Sequence, residues 1–368
     1  MLETVGRMIG GVFGRRSSLS VPILDGAFKP NNLLEEAGIV LERPGLEDIA
    51  LAPDGRLLAA AGSEVLLVGE GRAEPLESHD GVITALTVMK DGRCAVALGD
   101  RVVVEGAAAP VTEAAGRRFH AITALAPAHD GGLLVCDASA RHPGGEWQHD
   151  LMTKGRTGRL VALDPAGGKT TLLQDDLAWA FGAMDSRDGV LVSESWRHRL
   201  RLAGKSGGGN GGDATAELPG YPARITPTAD GGFWLSLFSG RAQIVEFVLA
   251  ENSFRREMMA TIDPKYWISP ALSSGEDFYE PLQSGGVKHM GILKPWAPPR
   301  SYGLAVRFDA GRTPLMSVHS RVGGRNHGIV ATVERGGEVF ALSKGAGRLL
   351  RLDLAAIRAA NGIGGSAQ

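Results

Sequence analysis

Short apolar runs separated by aspartate–glycine pairs set the rhythm of this chain. Asp54-Gly55, Asp91-Gly92, Asp130-Gly131, Asp188-Gly189 and Asp230-Gly231 each follow one apolar run and precede another, and Gly336-Gly337 takes the same place late in the sequence. An Asp-Gly pair supplies the positive φ angles of a tight hairpin turn, so each predicts two antiparallel strands. The segments "ITALTVMKDGRCAVAL", "ITALAPAHDGGLLVCD" and "ARITPTADGGFWLSLF" are three copies of one unit. Spacings near the ~40 residues of a propeller blade predict repeated four-stranded sheets. Six turns imply an all-β, six-bladed β-propeller.

Two long gaps interrupt the pattern. Between the third and fourth turns, "ASARHPGGEWQHDLMTKGRTGRLVALD" reads as an extended loop followed by a strand. Between the fifth and sixth, Leu249 to Pro299 holds a helical piece around "ENSFRREMMATI" and a proline-rich stretch, "LKPWAPPRSYG", that cannot be a central strand. The expected division is an N-terminal arm over 1–43, a propeller over 44–355 and a C-terminal helix and tail over 356–368. Residues 249–300 form an insertion covering the channel mouth, and "GIVLERP" in the arm pairs with the last blade to close the ring.

Composition adds exclusions. The 368 residues are 43% hydrophobic and 22% charged, enough to bury a large core. A net charge of −2 offers nucleic acid no global attraction, so no nucleic-acid partner is expected. Two cysteines, Cys94 and Cys136, are too few for a disulfide framework, which makes a reducing cytoplasm the expected setting. The start, "MLETVGRMIGGVFGRRSS", lacks the order and cleavage site of a secretory signal. An ordinary frayed terminus is the preferred reading there, with membrane contact through Met8, Ile9, Val12 and Phe13 the alternative. No run approaches the ~20 apolar residues of a membrane span. Oligomeric state leaves no signal in the pattern.

The middle of the chain carries a resemblance. "CDAS", "TGRLVALDP", "TTLLQDDLAWAFGAMDSRDGVLVSESWRHRL" and "LPGYPARITPTADGGFW" are similar to the middle blades of the strictosidine synthase-like proteins, relatives of the gluconolactonase (SMP-30) and paraoxonase propellers. The resemblance implies a six-bladed propeller with its site at one mouth of the channel. In the lactonase branch it also implies a divalent cation on a Glu, an Asn and an Asp from the first, fourth and fifth blades. Here Glu47 fills the first position, but Phe181 and Ala223 stand at the other two. Calcium takes about six or more oxygen ligands, so neither a metal nor any other cofactor is expected. The glutamate base of strictosidine synthase itself maps to Val330, so that activity is not expected.

The expected mouth is cationic and aromatic. Arg224, His319, Arg321, Arg325 and His327, with Lys288 and His289 of the insertion, are expected to gather beside Trp179, Phe181 and Tyr221. Such a pocket suits a small anionic or carbonyl-bearing molecule. Glu47 and His327 are the expected proton-transfer residues, with Arg224 either gripping the ligand or pairing with Glu47 across the channel. For each charged residue the competing reading is a solvated loop charge. His142, Glu146, His149 and Asp150 are metal-capable types without a compact zinc spacing, and read as a surface loop. Two functions follow: an ester or lactone hydrolase or related carbonyl-transforming enzyme, and a non-catalytic propeller binding a small molecule or a protein.

Overall fold

The computed structural model describes residues 21–164, 169–207, 211–281 and 300–363, together with the backbone of 288–289 and 292–293. Residues 1–20 of the arm and most of the proline-rich stretch lie outside the described residues. The rest is a six-bladed β-propeller. Each of the six glycine turns joins the innermost strand of a blade to the next: Leu46–Leu51 to Leu57–Ala61, Ala85–Val88 to Cys94–Ala97, Ile122–Pro127 to Leu133–Asp137, Ala180–Ser186 to Gly189–Glu194, Gly220–Pro227 to Phe233–Gly240, and Ile329–Arg335 to Glu338–Ser343. The innermost strands touch one another around a full circle, the sixth meeting the first.

Apolar side chains on both faces of every sheet explain why blades rather than separate hairpins form. Strands buried on both faces read as continuous apolar runs, such as "LLAAA" and "LLVCD". Leu58, Val65, Leu86 and Val96 fill the space between the first and second blades; Val135, Val161 and Val102 fill the next. Analogous clusters occupy the remaining junctions. The segment Gly38–Glu42 pairs antiparallel with Arg348–Asp353 as the outermost strand of the sixth blade, so the ring is closed by its own N-terminal region.

Three details differ from the sequence pattern. The second blade has three strands, extended only by a bridge between Val102 and Val111. The insertion of the fifth blade opens with a helix, Gln243–Ala250, ahead of the expected one at Asn252–Thr261. Val245 and Val248 of "QIVEFVLA" are buried along one side of it, a helical spacing hidden behind the preceding strand's apolar run. The last helix is Leu354–Ala360, begun by the Asp353 carboxylate accepting from Ala356 N.

Candidate functional site

Four innermost strands start with the same irregularity. Opposite a partner strand that advances by one residue, the inner strand advances by two: between Leu46 and Asp48, Ile122 and Ala124, Ala180 and Gly182, and Ile329 and Ala331. The extra residues are Glu47, Thr123, Phe181 and Val330. A bulge of this kind takes its residue out of the ladder and re-aims the side chain. In the second blade Thr84 sits just before the strand, its N–H donating to Ala97 O at 2.8 Å. In the fifth blade two irregularities, on either side of Pro222, bring in Arg224. Glu47, Thr84, Thr123, Phe181, Arg224 and Val330 thus form a ring, one residue per blade, around a cavity of about 540 Å³ at the channel mouth.

The wall above the ring is apolar. Trp179, Phe238 and Leu272 line it, and Trp147 arrives from the long loop of the third blade with Pro143, Gly144 and Gly145. Trp147 and Phe238 meet edge-on at 5.5 Å between ring centroids, and Trp179 stacks on Trp196 at 5.1 Å. That loop is held down by Asp150, which is buried and accepts from Ser139 Oγ at 2.6 Å and from Trp196 Nε1 at 2.8 Å. His142 faces Glu146, and His149 packs on Trp267. Among the described residues no cluster of three or more His, Cys, Asp or Glu could hold a metal ion. The ring itself does not fit calcium: one carboxylate, two threonines and the apolar Phe181 and Val330 are far short of the oxygen donors that ion takes.

Two ion pairs give the cavity its polarity. Arg224 Nε lies 2.7 Å from Asp48 Oδ1, and its Nη2 donates to Thr84 O at 3.0 Å. The guanidinium also lies 5.4 Å from the centre of the Phe181 ring. Asp48 is buried and accepts from the Leu86 and Ile49 N–H groups. Burial pushes its pKa up, and Arg224 with the backbone donors only partly offsets that. Glu47 pairs with Lys344, whose Nζ contacts Glu47 Oε2. The expected pair of Arg224 with Glu47 is therefore replaced by Arg224–Asp48 and Lys344–Glu47. The bulge is the reason: it sends Glu47 to the mouth and leaves the next residue, Asp48, directed into the channel.

Other expected site residues are elsewhere. Glu47, Phe181, Trp179 and Arg224 come together at the cavity. Tyr221 is fully buried behind it, packed on Phe238 and His198, with no hydrogen bond to its hydroxyl; burial raises its pKa. His319 is buried on the outermost strand of the fifth blade between Tyr302 Oη and Ser317 Oγ, and burial lowers its pKa to about 4. His327 is buried as well: its Nε2–H donates to Arg321 O at 3.0 Å, and its Nδ1 accepts from Ser301 Oγ at 2.7 Å. Burial lowers its pKa, with the Arg321 carbonyl and Glu35 opposing. Neither histidine, nor the exposed Arg321, lines the cavity: His319 ends the outermost strand of the fifth blade, and the connection carrying Arg321 and His327 packs against the N-terminal segment. There Glu35 accepts from Ser320 Oγ and the N–H groups of Arg325 and Asn326. Lys288 and His289 fall in a two-residue strand whose side chains lie outside the described residues. Lys344, Asp48, Trp147 and the two threonines were not singled out by the sequence pattern. The repeated "ITAL" before two of the turns carried the signal for Thr84 and Thr123.

Similarity to known proteins agrees with this architecture. The chain is 32% identical over 190 residues to a strictosidine synthase-like protein of Arabidopsis thaliana, covering 50% of this chain and 47% of that one. Strictosidine synthase-like proteins are among the proteins it resembles in sequence. An adipocyte plasma membrane-associated protein of Salmo salar is 27% identical over 250 residues, 60% of each chain. The chain spans 47% and 60% of the length of these two relatives. No protein-family profile matches it. Among solved structures, a gluconolactonase of Xanthomonas campestris superposes with a TM-score of 0.55 at 13% identity, covering 86% of this chain and 88% of that one. A calcium-binding regucalcin of Agrobacterium tumefaciens gives 0.50 at 11% identity, covering 86% and 92%. At such identities the likeness concerns the fold. Among the described residues no helix is long and apolar enough to cross a membrane.

Proposed function

We propose that the chain acts on a small, largely apolar carbonyl compound bound in the mouth cavity, hydrolysing an ester or lactone bond. The observation that supports this is the Glu47–Lys344 pair: of the two ion pairs at the ring it alone stays reachable, the side chains keeping 19% and 31% of their exposure against 1% and 9% for Asp48 and Arg224. An aromatic wall gives the ligand's apolar body a seat, and a few convergent polar groups orient its carbonyl. Glu47 would take the proton from an attacking water while the Lys344 ammonium faces the developing oxyanion.

The test is a titration of tryptophan emission with aryl esters and aryl lactones, since Trp147 and Trp179 line the cavity, followed by assay of the same compounds for turnover. Glu47→Gln should bind within a few-fold of the parent and lose turnover by about 100-fold or more. Binding without turnover by either protein would favour the second reading, a non-catalytic binding propeller. That reading draws support from the contact itself, since the Lys344 ammonium already occupies Glu47 Oε2. Absence of both binding and turnover would reject the site.

A further inference from the structure

Lys344 brings a primary amine to the wall of an apolar cavity. Its backbone N–H donates to Gly328 O at 2.9 Å, which fixes the residue in the turn between strands Glu338–Ser343 and Arg348–Asp353. From there the side chain reaches the first blade, where Nζ meets Glu47 Oε2. Around them stand Trp147, Phe181, Phe238 and Val330. Arg224, the other cation on this wall, presents a planar, delocalised guanidinium, which is no nucleophile. A lysine is one, once a base removes its proton.

We propose that Lys344 captures an aldehyde or ketone ligand as a covalent imine, with Glu47 shuttling the protons. This rests on the reading that carbonyl compounds enter the mouth cavity, and adds a reaction that an ester hydrolase does not need. The Glu47 carboxylate takes a proton from the ammonium, and the freed nitrogen pair forms a bond to the carbonyl carbon. A proton passes from nitrogen to the alkoxide oxygen, giving a neutral carbinolamine. Glu47 then returns its proton to that hydroxyl, the carbon–oxygen bond breaks, and water leaves. The sum is one ammonium and one carbonyl giving one protonated imine and one water, with Glu47 again a carboxylate and no oxidant or reductant used. The apolar wall limits the water that would reverse the last step.

The experiment incubates the full chain with 2-naphthaldehyde and cyanoborohydride, which reduces a protonated imine to a stable secondary amine, and maps the adduct by peptide mass spectrometry. Binding of 2-naphthylmethanol, which has the same ring but no carbonyl, is measured in parallel by tryptophan emission. The expected result is a single dominant adduct on the peptide containing Lys344, none there in Lys344→Arg, and formation slowed about 100-fold in Glu47→Gln. Mapping in the parent protein locates the adduct even if a variant folds poorly. If the alcohol binds but Lys344 stays unmodified, or is labelled no faster than surface lysines, the imine proposal is overturned and the carbonyl-binding reading stands. If the alcohol does not bind and no adduct forms, both fall.

Discussion

Arg224 and Asp48 show how one residue's surroundings decide its role. Replacing Arg224 by Met removes the counter-charge of a buried carboxylate and should destabilise the protein by about 3–5 kcal/mol. Adding Asp48→Asn should recover most of that, and urea unfolding of the single and double variants measures both. Because burial already holds the Asp48 pKa above its ordinary value, the folded variant binds a proton more readily than the unfolded chain, so the deficit of Arg224→Met should shrink as pH falls. A double variant no more stable than Arg224→Met would show that the pair is not what holds this part of the channel. Arg224 and Glu47 both line the mouth cavity, yet each pairs with a different residue, Asp48 and Lys344, rather than with the other. Strand alternation places neighbouring residues on opposite faces, but only the pairing with Leu57–Ala61 reveals that Glu47 is an extra residue and Asp48 the first regular one. The histidines failed for a related reason. Loop charges close to a strand's start look like mouth residues until the packing of Glu35 shows which way the loop turns.

At the scale of elements, the inner strands of the fourth and fifth blades pack tightly at Gly182. A Cβ there would lie 2.4 Å from Ala223 O and 2.7 Å from Arg224 Cα, both backbone atoms with nowhere to go. Gly182→Ala should therefore cost about 1–3 kcal/mol of stability, read by thermal or urea unfolding, and the displaced backbone is the one that carries Arg224. Ligand titration should show weakened binding in the same variant, whereas wild-type stability and affinity would show that the blades can slide apart freely. The Asp-Gly turns made these strands legible because a turn's backbone demand is local. The cover was less so. Trp147 and Leu272 reach the cavity from insertions whose placement depends on contacts far along the chain, such as Gln148 Nε2 to Ser269 Oγ at 2.9 Å.

For the whole molecule, the N-terminal segment closes the ring. Strand Gly38–Glu42 pairs with Arg348–Asp353 over some three hundred residues of intervening chain, Asn31 fastens the segment before it to the fifth blade, and Glu35 fastens it to the connection leading into the sixth. A chain starting at Arg43 loses all of these and exposes a strand edge. It should unfold at a lower temperature and with a broader transition than the full chain, and should aggregate more readily; a melting curve unchanged in midpoint and width would show that the ring needs no such clasp. The closing strand was visible in the sequence as "GIVLERP", whereas the Glu35 contact was not, since it relies on backbone donors that any residue could supply.

The bulges at the starts of the inner strands have a consequence for how such a protein changes over time. A bulged residue lies outside the hydrogen-bonded ladder, so replacing it disturbs little of what keeps its blade folded. Inheritance can then rewrite the mouth at the four bulged positions, exchanging a glutamate for a threonine or a phenylalanine, while the wheel that holds those letters stays the same.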